Sequence, residues 1–391
     1  MYLNQLIGQG GDIVSWLVWI IFFMVFFMFY PRLMLSQIMW KLEGSARNLE
    51  NLSLKSKRML YTEISKKPSK FVKDSVDRFF EFFIIHPISL DPYGVVKKLD
   101  HLIKNERERF EYFTDEVAPN LDEERKANIQ MGMAAGIELN LLAKIVRHYI
   151  EMIKKTKSYQ IAMIIQMQLP IIERIAKALF VGTKTLARGE PIGDATGAWM
   201  IARLNDGKGM KEIEEDIVMA EKSVEGRHAF LLKARGPGGR IGYPGKAVEK
   251  LIKKHKIARV ITIDAAAKLE GEKTGSVAEG VGVAMGGPGV ERSYIEDAVV
   301  KRKIPIDSIV VKMSAEEAIQ PLRISMTNAY QNVMEAISRS ISRTKKNDNV
   351  IIVGVGNTSG VGNNKKQAEE ALKWVKNYEK KRTQSKKKKQ G

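Results

Sequence analysis

The longest apolar run in the chain extends from Ile13 to Tyr30, IVSWLVWIIFFMVFFMFY, with Ser15 as its one clearly polar side chain. As a helix, rising about 1.5 Å per residue, it covers most of a ~30 Å hydrocarbon layer, and Leu33 to Leu35 extend it. Trp16, Trp19 and Tyr30 lie toward its ends, where amphipathic rings favour a membrane interface. A surface helix of a soluble protein keeps a polar face, and this run has none. Neither a basic leader nor a small-residue cleavage site marks it as a signal peptide. The pattern predicts one N-terminal transmembrane helix within an anchor of residues 1–35. Residues 1–12 carry no Lys or Arg, whereas Arg32, Lys41, Arg47, Lys55, Lys57 and Arg58 follow the run. By the positive-inside rule this predicts a single-pass protein of the cell membrane, N-terminus outside and body in the cytoplasm.

Residues 36–188 read as a helical, membrane-proximal region. Ile38, Trp40, Leu42, Leu49 and Leu52 recur near helical spacing, interleaved with basic residues suited to a headgroup layer. His86-Pro87 and Ser89-Leu90-Asp91-Pro92 break the pattern, with Ser89 or Asp91 placed to cap a helix over 93–112. Amphipathic patterns over 123–156 and 159–187 predict two long helices, the second kinked at Pro170. Glu173, Arg174 and Lys177 make that second helix a buried soluble one rather than a second span.

After Gly189 the period changes. Short β-branched runs at 228–234, 258–264, 307–312 and 350–355 alternate with helical stretches at 245–256, 291–302 and 315–344. A closing helix follows at 365–380. Strand–helix alternation predicts an α/β domain over 189–378, built on a mainly parallel sheet with flanking helices.

Composition narrows the chemistry. With 391 residues and no cysteine, disulfides, thiolate metal sites and cysteine nucleophiles are excluded. The five histidines show no metal-binding spacing, so a divalent cation, if one is bound, rests on carboxylates. The formal charge is +19, and seven of the last twelve residues are basic. Residues 379–391 read as a disordered polybasic tail. Beside a bilayer such a tail is drawn to anionic lipid by about 1 kcal/mol per basic residue; nucleic acid competes for the same charge.

The candidate chemistry lies in loops at the carboxyl ends of strands, where open parallel sheets bind ligands. The first is Gly236–Gly245, which lacks the Walker GK[ST] and a registered GxGxxG. The second follows Asp264, an acid ending a buried strand, and continues through Lys268, Glu270 and Glu272. A charge in that position is costly unless it is paired, binds or reacts. A glycine loop, Gly280–Gly289, contains Gly286 and Gly289; the last strand leads into Gly354-Val-Gly356-Asn357-Thr-Ser-Gly360. Pro191-Ile-Gly193-Asp194-Ala-Thr-Gly197 opens the domain. The ligand-binding candidates are Gly193, Lys268, Glu270, Glu272, Gly286, Gly289, Gly356 and Asn357.

The succession VITIDAAAK, GGPGVER and IPIDSIVV resembles the core of the spore germination protease family. VGVGNTSG and EPIGDATGAW resemble its remaining marker, and the GxGN turn is shared with hydrogenase-maturation peptidases. That resemblance implies a catalytic pair, Asp194 and Asp264, and a sheet circularly permuted relative to the family. The whole chain resembles an archaeal membrane-protein family of unknown function with similar PIGD, KLEGE and GVGNT motifs. The resemblance to the proteases implies a carboxylate-dependent hydrolase of peptidase or amidase type, with Glu272 joining Asp194 and Asp264 if a metal is held. Two alternatives stay open. One is a non-enzymatic module binding a phosphorylated ligand near Arg240, Lys268 and Arg292; the other is a scaffold recruiting partners through an exposed helical face.

Overall fold

The computed structural model describes residues 3–82, 94–207 and 209–390. Expectations for His86, Ser89 and Asp91 therefore lie outside the described residues. Five helices come first: α1 (Leu3–Ile64), α2 (Lys70–Phe79), α3 (Val95–Val117), α4 (Glu123–Thr156) and α5 (Tyr159–Ala187). The bounds of α4 and α5 are those predicted from periodicity. Contacts divide the chain into two compact units, Met1–Ser53 with Asn140–Ala176, and Leu54–Leu139 with Lys177–Gly391.

In the first unit, Ile38, Leu42, Ala46 and Leu49 of α1 form a buried stripe at spacings of three and four. Ala143, Val146, Ile150 and Ile153 of α4, and Ala162, Ile165 and Leu169 of α5, are buried likewise. Arg147 holds Glu50 through two hydrogen bonds, at 2.6 and 3.0 Å, and Glu43 through a third at 2.8 Å. Residues 15–30 of α1 are exposed throughout, and the helix beginning at Ser15 is long and apolar enough to cross a membrane. α4 passes the same length and composition test, but 44% of its apolar window is buried inside the protein.

The second unit carries a seven-stranded sheet. A 3-10 turn (Gly193–Ala195) leads into α6 (Thr196–Leu204), then β1 (Lys211–Glu214), β2 (Ile217–Val224) and β3 (Arg227–Ala234). There follow α7 (Pro244–Lys254), β4 (Ile257–Ala267), β5 (Val277–Val281), α8 (Val290–Arg302) and β6 (Ile306–Met313). Three short helices, α9 (Ala315–Ile319), α10 (Ile324–Thr327) and α11 (Tyr330–Ile341), precede β7 (Asn349–Gly354) and α12 (Lys365–Gln390). The strand order is β1-β2-β3-β7-β4-β6-β5. β3, β7, β4 and β6 are parallel, while β1, β2 and β5 are antiparallel additions at the edges. The sheet is therefore mixed, with the predicted parallel strands as its centre.

Both faces of that centre are covered, as a parallel core requires. On one side Phe230, Leu232, Val260, Ile351 and Val353 pack with Val248 and Leu251 of α7 and Ile295 and Val299 of α8. On the other, Leu231, Ile261, Ile263, Val350 and Ile352 pack with Trp199 of α6, Val333 and Ile337 of α11, and Ala371 and Val375 of α12. Residues 54–139 and 177–188 belong to this unit, so its limits do not follow the change of texture at Gly189.

Two expectations are corrected. The single helix over 315–344 is three, because Pro321 pairs in an isolated bridge with Ile192 and cannot continue α9. The tail is helical through Gln390: residues 379–390 contain no Gly or Pro and are rich in good helix formers. Glu379 also has a structural task, since its carboxylate accepts from Ile324 N at the start of α10, at 3.0 Å. Truncation after Glu379 is expected to leave the melting temperature within about 1 °C of the full chain. Removing Glu379 as well should cost about 1 kcal/mol, as loss of a helix-terminus acceptor does. Equal melting temperatures for the two truncations would count against that cap.

Candidate functional site

β7 lies between β3 and β4, and the carboxyl ends of such central strands are where open α/β sheets bind ligands. The first turn of α6 crosses those ends at backbone contact. A Cβ added at Gly197 would stand 2.3 Å from Val355 O and 2.4 Å from Ile263 O. One added at Gly356, whose φ is +108°, would stand 2.1 Å from Asp194 O. The glycines that the sequence singled out in two distant loops are thus the means by which those loops meet.

The meeting brings Asp194 to the end of β7. Asn357 N donates to Asp194 Oδ2 at 2.8 Å. Asp264 does not end its strand, since β4 runs on to Ala267 paired with β6. It lies just past the Ile263–Gly354 pair where β7 ends, is 5% exposed, and accepts from Ala265 N at 2.7 Å and from the Gly286 N–H. Burial raises the pKa of both carboxyls, Asp264 to about 8; the Asp194 charge adds to the rise at Asp264, and the backbone N–H groups oppose it. With its pKa raised to about 8, Asp264 holds its proton at pH 7, beside a second carboxyl whose charge adds to that rise.

The other predicted residues are distributed as follows. Gly193 supports the Asp194 turn, its N–H donating to Gln320 O at 2.9 Å and its O accepting from Thr196 Oγ1 at 2.6 Å. Asn357 Oδ1 accepts from Ser359 N at 2.7 Å, which shapes the turn carrying the Asp194 donor. Gly289, with φ +85°, is the N-cap of α8. Glu272 is not with the aspartates: it pairs with Lys312 and accepts from Leu269 N at 2.7 Å. Lys268 donates to Glu272 O at 3.3 Å, and Glu270 is exposed. Among the described residues no group of three His, Asp or Glu is arranged to hold a metal. The donor set for a divalent cation stops at two carboxylates, so the three-acid set with Glu272 is not formed. The Asn357 and Gly286 N–H groups both face the carboxylates.

Nor do the three cations of the phosphorylated-ligand reading stand unengaged. Arg240 binds Glu124 at 2.7 Å and Asp216 at 3.2 Å, and Arg292 binds Glu296 at 2.7 Å. A further charged residue lies in the core, outside the loops that the sequence pattern singles out. Lys233, near the end of β3, is fully buried; its Nζ donates to Ala234 O at 2.7 Å and Asn363 Oδ1 at 2.8 Å. Burial pulls its pKa down to about 7, against a smaller upward pull from Glu124. The signal was available: a lysine inside the apolar strand AFLLKA is as costly as the acid at 264.

Residues 192–362 match a family described as Domain of unknown function (DUF1512) C-terminal, and residues 16–189 match Protein of unknown function (DUF1512) N-terminal domain. The chain belongs to the DUF1512 family. The junction of the two matches, between residues 189 and 192, leads directly into the Gly193–Ala195 turn. No curated protein and no solved structure matches this DUF1512 chain.

Proposed function

We propose that Asp194 and Asp264 form an acid–base pair that hydrolyses an amide bond, on a body tethered to the cytoplasmic face of the membrane by α1. The observation that carries the reading is the convergence of the two carboxyls at the carboxyl end of the sheet, each bound by a backbone N–H of a neighbouring glycine-containing loop. Asp264 supplies the proton and Asp194 the base. Water attacks the carbonyl carbon as Asp194 takes its proton; the Asp264 proton passes to the amide nitrogen as the C–N bond breaks. The resemblance to the germination proteases supports the same assignment. The anchor is supported by the exposed apolar face of Ser15–Tyr30, and the orientation by the basic residues that follow it.

The test is cleavage of a panel of quenched peptides by the detergent-solubilised full chain across pH 4 to 10. Activity should fall as pH rises through about 8, where the pair loses its last proton. Asp194→Asn should reduce the rate by about 10³-fold or more, by removing the base. Cleavage indifferent to Asp194→Asn, or rising steadily above pH 8, would refute the assignment.

A further inference from the structure

Side-chain contacts fix the order of helices in the first unit. Ser53 Oγ donates to Asn140 Oδ1 at 2.9 Å, Arg147 bonds Glu50 and Glu43, and Lys154 reaches Glu43 at 2.5 Å, so α4 runs antiparallel to α1. Ser45 Oγ donates to Glu173 Oε1 at 2.6 Å, and Gln166 shares a groove with Met34, Ile38 and Trp40, so α5 runs back beside α1. The α4–α5 turn, Lys157-Ser158, is thereby carried to the stretch of α1 that directly follows its apolar segment. At about 1.5 Å per residue, Trp40 is only about 15 Å along the axis from Tyr30.

The surface at that level is unusual for a water-facing one. α5 buries Ala162, Ile165 and Leu169 inward, yet outward it presents Ile164, Met167 and Ile171, with Met167 71% exposed. Trp40 is 80% exposed, and the groove it shares with Met34 and Gln166 measures about 600 Å³. Beside this apolar surface the turn carries Lys155 and Lys157, both exposed. An apolar helix face bordered by lysines and an indole is the composition of an interfacial membrane contact.

We infer that the tip of the α4–α5 hairpin, with Trp40, is seated in the headgroup layer of an anionic bilayer, giving the protein a second, peripheral membrane contact beside α1. This rests on the reading of α1 as an anchor. Lipid is favoured over a second copy because the surface is continuous with the apolar segment of the same helix and because its lysines complement anionic headgroups.

The chain has no cysteine, so Ile164→Cys, Met167→Cys and Asn51→Cys each give a single site for a spin label. Asn51 is exposed on α1 about 30 Å along the axis beyond Tyr30 and serves as the water reference. Full-length variants are reconstituted in phosphatidylcholine vesicles with and without phosphatidylglycerol, floated, and read by oxygen and nickel-chelate accessibility. Labels at 164 and 167 should report the depth of the headgroup–acyl boundary, deeper with phosphatidylglycerol, and Lys155→Glu/Lys157→Glu should erase that lipid dependence. Flotation with both labels as water-accessible as position 51 would overturn the hairpin contact and leave the anchor standing. Equal depth in both lipids would overturn its anionic character. Spin–spin broadening at 164 and 167 would put a second copy there instead. Failure to float would remove the anchor, and this inference with it.

Discussion

Asp264→Asn should melt higher than the wild type at pH 8, and under the proposed function it should lose amide hydrolysis by about 10³-fold or more. In the unfolded chain an aspartate ionises near pH 4; in the fold Asp264 holds its proton up to about 8, because burial and the Asp194 charge disfavour the anion. Below pH 4 both states are protonated and the group contributes no pH dependence. Between about pH 4 and 8 the native state binds more protons than the unfolded one, so stability falls as pH rises, and above 8 the fall levels off. Across that window the loss is on the order of several kcal/mol. Asparagine keeps the acceptor for Ala265 N and the Gly286 N–H but cannot ionise. The two proteins should therefore melt together near pH 4 and diverge by several degrees at pH 8. An active site that keeps a costly group gains stability when that group is neutralised, and loses function. An Asn variant that melts lower at every pH would instead assign Asp264 to structural pairing.

How much of this was legible depends on which interactions are local. α4 and α5 were readable to the residue because long amphipathic repeats carry their own period. The central strands were readable because β3, β4 and β7 are apolar on both faces. The edge strands were not. β2 is half buried, and the tight turns on either side of it carry few turn residues, Asp216 at φ +56° in one and Glu225-Gly226 at +46° and +77° in the other. Strand order depends on pairings far apart in sequence, such as Ile263 with Gly354, and no local pattern reports that β7 enters between β3 and β4.

The same distinction runs through the candidate site. Asp264 was legible as a charge in a buried strand, although the strand does not end there. The loop residues after it were grouped with it by sequence proximity alone. β4 continues to Ala267, and at about 3.3 Å per residue this carries Lys268 about 13 Å beyond Asp264. There Glu272 finds Lys312 of β6 and is withdrawn from the aspartates. Asp194 and Asn357, 163 residues apart, were linked by resemblance, whereas the contact that joins them is the donation from Asn357 N.

That contact depends on Gly197, and Gly197→Ala is expected to cost more than about 3 kcal/mol, among the larger effects of a single methyl group. The atoms that the new Cβ would meet are backbone: Val355 O at 2.3 Å, Ile263 O at 2.4 Å and Val355 N at 3.0 Å. A side chain in that position could rotate aside, but these carbonyls belong to the central sheet, where Val355 N already donates to Ile263 O at 2.9 Å. Relief must come from lifting the first turn of α6. That turn is held from below by Trp199, whose Nε1 donates to Ala368 O at 2.9 Å in the core, so the displacement is resisted by packing as well. Lifting it also stretches the Asn357–Asp194 bond, which under the proposed function should lower the hydrolysis rate as well. Gly286→Ala is the matched control: a Cβ there meets nothing within 4 Å, and its φ is not positive, so its melting temperature should stay within about 2 °C of the wild type. Thermal unfolding of both variants at pH 7 decides the matter. If Gly197→Ala melts with the control, α6 does not rest on the strand ends as closely as described, and the route by which Asp194 reaches Asp264 is wrong.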